Sequence, residues 1–244
     1  MSDTPISSSP AAVSWSDPAR EAAFKAWLAP LIGPQGLQGA TLRPASSDAS
    51  FRRYLRIDTA RGASRIVMDA PPDKEDCHPF VAVQALMHGA GLRVPEILAW
   101  DEARGFLLLS DLGAQTAIER LDPADPQAAH GWYLQAVDLL VDWQKASRAG
   151  ALPPYDEALL RRELQLFPDW YVARHRGVAL DAKQQAVLAQ AFDAIVAHNL
   201  AVPRVFVHRD FMMRNLIVGG DGRLGVLDFQ DAVCGPITYD IASL

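Results

Sequence analysis

Between Val205 and Phe229 the chain has few conformational choices. Three short apolar stretches, Val205-Phe206-Val207, Leu216-Ile217-Val218 and Leu224 to Leu227, are too short for helices and are bounded by polar or glycine residues. The last two flank Gly219-Gly220-Asp221-Gly222, the composition of a tight turn, so they read as a β-hairpin. A polar hook, His208 to Asn215, separates the first from the hairpin. This arrangement decides where three oxygen-bearing side chains go. Asp210 and Asn215 stand five apart in the hook, and Asp228 follows thirteen positions later, at the end of the second hairpin strand. Closing the hairpin returns Asp228 to the hook. Carboxylate and amide oxygens suit a hard cation, and Mg2+ bound by few protein ligands usually completes its shell with substrate phosphates.

The remainder of the chain divides into two textures. Residues 1–16 are rich in Ser with little to bury and are expected to form a disordered tail. Asp17-Pro18 is a helix start, with Asp as N-cap and Pro at the first helical position, and Phe24, Trp27, Leu28 and Leu31 follow on one face. The Pro and Gly residues between Pro30 and Gly39 predict a loop there. From Thr41 to Ala70 come three short strands with turns at 46–50 and at Arg61-Gly62. Pro79 to Gly91 reads as a helix, and Ile97 to Trp100 and Phe106 to Leu109 as two more strands joined by a hairpin. Beyond Gly113 the periodicity is helical. Asp125-Pro126 opens one helix, 156–175 is a second interrupted by Pro168, and Asp181 with Gln184 forms a capping box for a third.

The hook Val207-His208-Arg209-Asp210-Phe211-Met212-Met213-Arg214-Asn215, with Leu227-Asp228-Phe229-Gln230 after it, resembles the kinase pattern H-R-D-x-x-x-x-N followed by a metal-binding Asp. Over roughly residues 20–244 the chain is similar to the aminoglycoside-phosphotransferase and choline-kinase-like branch of the protein-kinase fold. Within it, Ser47 to Tyr54, Val67 to Pro72, Asp111-Leu112-Gly113 and Leu227 to Val233 resemble the anomeric kinases of N-acetylmuramate and N-acetylglucosamine.

The resemblance implies an α+β, two-lobed protein-kinase-like fold. A nucleotide-binding lobe over 17–112, with a five-stranded antiparallel sheet plus a helix, would precede a mainly helical lobe over 113–244, expected to be truncated because Gly235 to Leu244 starts a helix and stops without a C-cap signal. It implies ATP and Mg2+ as cofactors and an amino sugar as the small-molecule partner; a monomer is assumed, and neither nucleic acid nor a membrane is expected as a partner. Asp210 would be the catalytic base, with Asn215 and Asp228 as metal ligands. Ser47, Ala49, Ser50, Lys74, Ser110 and Leu112 would meet the nucleotide, through the turn at 46–50, the loop at 74 and the peptide groups after the fifth strand. Asp231 would orient the acceptor or cap a turn, and Arg214 would contact phosphate or cap the hook. His208 would be a buried packing residue and Asp240 a tie for the catalytic loop. The chain departs from the kinase pattern at the third strand, where Met68 stands in place of a phosphate-binding Lys. Lys74 is the nearest substitute.

Composition narrows the alternatives. The formal charge of −6, from 23 basic and 29 acidic residues, argues against a protein that depends on nucleic-acid phosphates. Two cysteines make no disulfide framework, and no apolar run approaches the ~20 residues that span a bilayer, so a cytoplasmic location is expected. There is no G-x-x-x-x-G-K-[ST] loop and no G-x-S-x-G elbow. An aminoglycoside- or choline-type kinase, and a nucleotide-binding scaffold without transfer activity, remain alternatives.

Overall fold

The computed structural model describes residues 13–47 and 51–244. They fall into two compact units. One runs up to Ala85 and resumes over Arg93–Ala114, and the other comprises Leu86–Leu92 and Gln115–Leu244.

The first unit is a five-stranded antiparallel sheet with helices. The strands are β1 (Arg43–Ser47), β2 (Arg53–Asp58), β3 (Ser64–Asp69), β4 (Ile97–Asp101) and β5 (Phe106–Ser110), in the order β1-β2-β3-β5-β4. Helix α1 (Pro18–Gln35) is capped by Asp17, whose carboxylate accepts from the Ala19 N–H at 2.8 Å. Its buried face, Phe24, Trp27 and Leu28, packs on Leu55, Ile57, Val67, Phe106 and Leu108, and the Trp27 and Phe106 rings stack 5.3 Å apart. Helix α2 spans His78–Gly89.

Two expectations need correction. The segment from Pro30 is helical through Gln35 rather than loop. Pro30 and Pro34 lie on the exposed side, where a missing N–H is not a buried loss, and the apolar face beneath them holds the helix together. It ends at Gly36, whose φ of 61° is the left-handed cap that glycine permits. The disordered tail does not extend to residue 16. Trp15 packs on Phe24 with ring centroids 4.9 Å apart, and Arg53 lies over the Trp15 ring while donating to the Ser14 carbonyl.

Four of the six arginines between Arg43 and Arg65 pair with carboxylates of the unit, as does Arg20 of α1. Arg20 and Arg53 both hold Asp69, which is 1% exposed, at 2.7 and 2.6 Å. Arg43 pairs with Asp58, Arg52 with Glu75 and Arg56 with Asp111.

The second unit begins with α3 (Pro126–Lys145) and α4 (Glu157–Leu166), capped by the side chains of Asp125 and Asp156. Pro168 does not break the chain after α4. With no N–H to give and a ring that crowds the preceding turn, it is accommodated by widening the helix to i→i+5 bonding over Phe167–His175. Helix α5 (Ala182–Ala201) carries the capping box of Asp181 and Gln184. Strand β6 (Arg204–Val207) pairs with β9 (Val233–Pro236), β7 (Leu216–Val218) with β8 (Leu224–Val226), and α6 covers Tyr239–Ser243. Tyr155, Leu160, Val196, Val207 and Val233 form a core under the hook. Among the described residues no helix is long and apolar enough to cross a membrane.

Two turn glycines separate backbone strain from steric overlap. Gly222, with φ of 73°, has open space where a Cβ would go, whereas at Gly105, φ 66°, a Cβ would sit 1.9 Å from the Ala70 carbonyl oxygen. Urea denaturation is expected to show Gly222→Ala losing about 1–2 kcal/mol and Gly105→Ala more than about 3 kcal/mol. Equal losses at the two sites would contradict the close approach.

Candidate active site

The hook between β6 and β7 is built on a buried carboxylate. Asp240, at the start of α6 and fully buried, accepts from the His208 N–H at 2.7 Å and from the Arg209 N–H at 3.0 Å. Burial pushes its pKa up to about 6, although both N–H groups favour the ionised form. Those two bonds hold Arg209 at φ 79°, a left-handed conformation that costs a non-glycine residue about 1–2 kcal/mol.

His208 is also fully buried, and both ring nitrogens are engaged. Nδ1 accepts from the Asp210 N–H at 3.2 Å, so Nε2 carries the proton and donates to the Leu227 carbonyl at 2.9 Å. The ring therefore fastens the hook to the end of β8. Asp228, next in the chain, is the second non-glycine residue at positive φ, at 60°.

These constraints gather Asp210, Asn215 and Asp228. The Asn215 amide donates to the Asp210 carbonyl at 2.9 Å and lies 3.4 Å from Asp228 Oδ2. Asp210 is partly buried. Burial first, and the nearby Asp228 charge second, raise its carboxyl above the ordinary value, with Arg209 opposing. With its amide nitrogen turned to Asp210 and Asp228, Asn215 keeps its Oδ1 for another partner, so Oδ1 and the Asp228 carboxylate form a small set of hard oxygen donors. That set fits Mg2+ sharing its shell with phosphates, and no cluster of three His, Cys, Asp or Glu side chains suited to a metal exists among the described residues.

The other predicted positions are less uniform. Asp231 is exposed and stands 3.8 Å from Arg209, with Gln230 donating to both Asp228 and Asp231. Arg214 is exposed beside Asn215, with no side-chain bond or ion pair among the described residues. In the first unit, Ser47 ends β1 opposite Arg53, while Ala49 and Ser50 lie outside the described residues. The Lys74 ammonium sits 4.9 Å from the Phe51 ring centroid. Ser110 is occupied, since its N–H bonds the Glu96 carbonyl and its hydroxyl accepts from the Glu96 N–H. Leu112 is half-buried. Met68 is fully buried, so that position of β3 supplies no cation.

Sequence reasoning missed one assembly beside the hook. Glu163 of α4 receives the Tyr155 hydroxyl, the Tyr239 hydroxyl at 3.4 Å and the Arg209 guanidinium. They come from three separate stretches of the chain, Tyr155 and Glu163 being eight apart, and share no motif. The only available signal was Arg209 next to Asp210, which needs an acid to balance it.

Residues 41–244 match the model described as the phosphotransferase enzyme family, and the chain belongs to that family. It is 55% identical over 205 residues to the N-acetylmuramate/N-acetylglucosamine kinase of Pseudomonas aeruginosa, a match covering 84% of this chain and 59% of that protein. With the protein of the same name from Neisseria meningitidis serogroup B it shares 42% identity over 226 residues, covering 92% of this chain and 66% of that one. The chain thus spans 59% of the length of the Pseudomonas aeruginosa relative. The crystal structure of choline kinase LicA from Streptococcus pneumoniae superposes with a TM-score of 0.62 at 14% identity, covering 93% of this chain and 74% of that one. This likeness bears on the fold, which is the α+β protein-kinase-like class.

The His208 ring makes a pH prediction. Burial holds its pKa down to about 4, with the Leu227 carbonyl and Asp228 opposing. The unfolded chain takes up this proton near pH 6.5, so the stability His208 contributes is complete above that value and is lost as pH falls toward 4. In urea denaturation, the advantage of wild type over His208→Gln is expected to shrink by about 2–3 kcal/mol between pH 7 and 4.5. Asp240, shifted in the opposite sense, is present in both proteins and cancels in the difference. A gap that stays constant with pH would refute the neutral, doubly bonded ring.

Proposed function

We propose that the chain acts as an ATP-dependent kinase transferring the γ-phosphoryl group to the anomeric hydroxyl of an N-acetylated amino sugar, N-acetylmuramate or N-acetylglucosamine. The observation that carries this reading is the convergence of Asp210, Asn215 and Asp228 on a strained, doubly anchored loop. The names of the relatives supply the acceptor class. We place the activity in the cytoplasm, where ATP and Mg2+ are at hand, in the recycling of cell-wall sugars, with the protein working as a monomer on small molecules.

In the proposed step the acceptor hydroxyl oxygen bonds the γ-phosphorus, the bond to the ADP oxygen breaks, and the hydroxyl proton passes to the Asp210 carboxylate. The raised pKa of Asp210 suits a base that must hold that proton briefly. Asn215 and Asp228 would hold Mg2+, which supplies positive charge to the nucleotide phosphates. Peptide groups near Leu112 would meet the nucleotide base. Ser47, Ala49 and Ser50 would meet its phosphates, and Lys74 would approach from its loop. Asp231 would orient the acceptor, and Arg214 would contact a phosphate. A second reading, a nucleotide-binding scaffold, is favoured by Met68 in place of a basic residue on β3.

Phosphorus NMR of mixtures with Mg·ATP and each sugar is expected to show a sugar 1-phosphate. Asp210→Asn should reduce its rate by about 10²–10⁴-fold with nucleotide affinity nearly unchanged. Nucleotide binding without any transfer by wild type would favour the scaffold. Because the base must be ionised, the rate should fall on the acid side with a midpoint above the ordinary carboxylate value of Asp210. A midpoint at or below that value would remove Asp210 from the role.

A further inference from the structure

The link that leaves β5 is fastened more tightly than a connecting segment requires. Asp111, with its side chain 5% exposed, accepts from Arg56 Nε at 2.6 Å and Nη2 at 3.2 Å, from the Ser64 hydroxyl at 2.7 Å and from the Gly113 N–H at 3.0 Å. Arg56 Nη2 also donates to the Gly113 carbonyl at 3.0 Å. Upstream, Ser110 is joined to Glu96 by two bonds, at 2.9 and 2.8 Å. The residues on either side of Leu112 are therefore immobilised by the sheet. Leu112 is half-buried, and its N–H and C=O have no protein partner among the described residues.

A peptide group that is partly shielded, unpaired and rigidly framed is a ready hydrogen-bonding edge, because a ligand meeting it need not order it first. Its complement is a flat heterocycle with a donor and an acceptor side by side. Adenine and guanine both offer such an edge with the two roles exchanged in position. A rigid peptide accepts one of them well, whereas a loose peptide can shift to accept either.

We propose that Arg56 and Asp111 are positioning residues that fix the Leu112 peptide and thereby set which purine base the chain accepts, adenine over guanine. This rests on the nucleotide use proposed above. The planar fork of Arg56 spans Asp111 and the Gly113 carbonyl together, and a lysine cannot reproduce that geometry. The Arg43–Asp58 pair, held at 2.8 Å, serves as a neighbouring control: Arg43 lies opposite Arg56 across β1 and β2 but makes no hydrogen bond to Asp111 or Gly113, and Arg43→Lys keeps its charge.

The test needs neither metal nor transfer. A fluorescent N-methylanthraniloyl-ADP is displaced by ADP and by GDP from wild type, Arg56→Lys, Asp111→Asn and Arg43→Lys, with thermal unfolding followed in parallel. Wild type is expected to prefer ADP. The preference should fall at least about fivefold in Arg56→Lys and Asp111→Asn and persist in Arg43→Lys, whatever the changes in melting temperature. An unchanged preference in either link variant that remains folded overturns the proposal, as does a wild type that binds both nucleotides equally. A wild type that binds neither removes the nucleotide reading itself, and the proposal with it.

Discussion

The candidate site hangs on Asp240, whose carboxylate holds two consecutive peptide N–H groups of the hook. One of those peptides belongs to His208, whose ring is wedged between the Asp210 N–H and the Leu227 carbonyl, and the other to Arg209, which is bent into a conformation few side chains tolerate. A chain of bonds thus runs from the start of α6 through the hook to the end of the β7–β8 hairpin. The hairpin pairing, with the Leu227 N–H donating to the Asn215 carbonyl, brings the amide of Asn215 and the carboxylate of Asp228 together. A carboxylate buried this deeply is unfavourable alone, and its two charge-assisted bonds to N–H groups offset part of that cost.

The first unit handles charge differently. Arg20, Arg43, Arg53 and Arg56 are each directed to a carboxylate of the same unit. Asp69 shows why. A fully buried acid on a strand requires cations on both sides, and Arg20 from α1 and Arg53 from β2 converge there. These four cations are therefore structural.

Much of the architecture was legible because it rests on local chemistry. The hairpin, the capping residues Asp17, Asp125 and Asp181, and the five strands follow from turn residues and alternation, which act over a few positions. Pro30 and Pro34 misled for the same reason, since local propensity favoured a loop while the buried face of α1, a tertiary effect, kept the helix. Trp15 anchors residues that composition alone would leave loose. Glu163 was invisible because its value comes from Arg209, Tyr155 and Tyr239 meeting it from elsewhere in the chain. Ser110 was expected to contact the nucleotide, but its hydroxyl and N–H are taken by Glu96, a pairing that no spacing rule reveals.

The left-handed conformations of Arg209 and Asp228 have a consequence for how such a chain could be hardened against heat. Glycine would sit at either position without steric penalty, so a search for thermostable variants would be drawn there. Each replacement would remove a side chain of the candidate site, the guanidinium held by Glu163 in one case and the carboxylate beside Asn215 in the other. Robustness and chemistry therefore compete at the same two residues, and stabilising changes that preserve the site must come from elsewhere in the molecule.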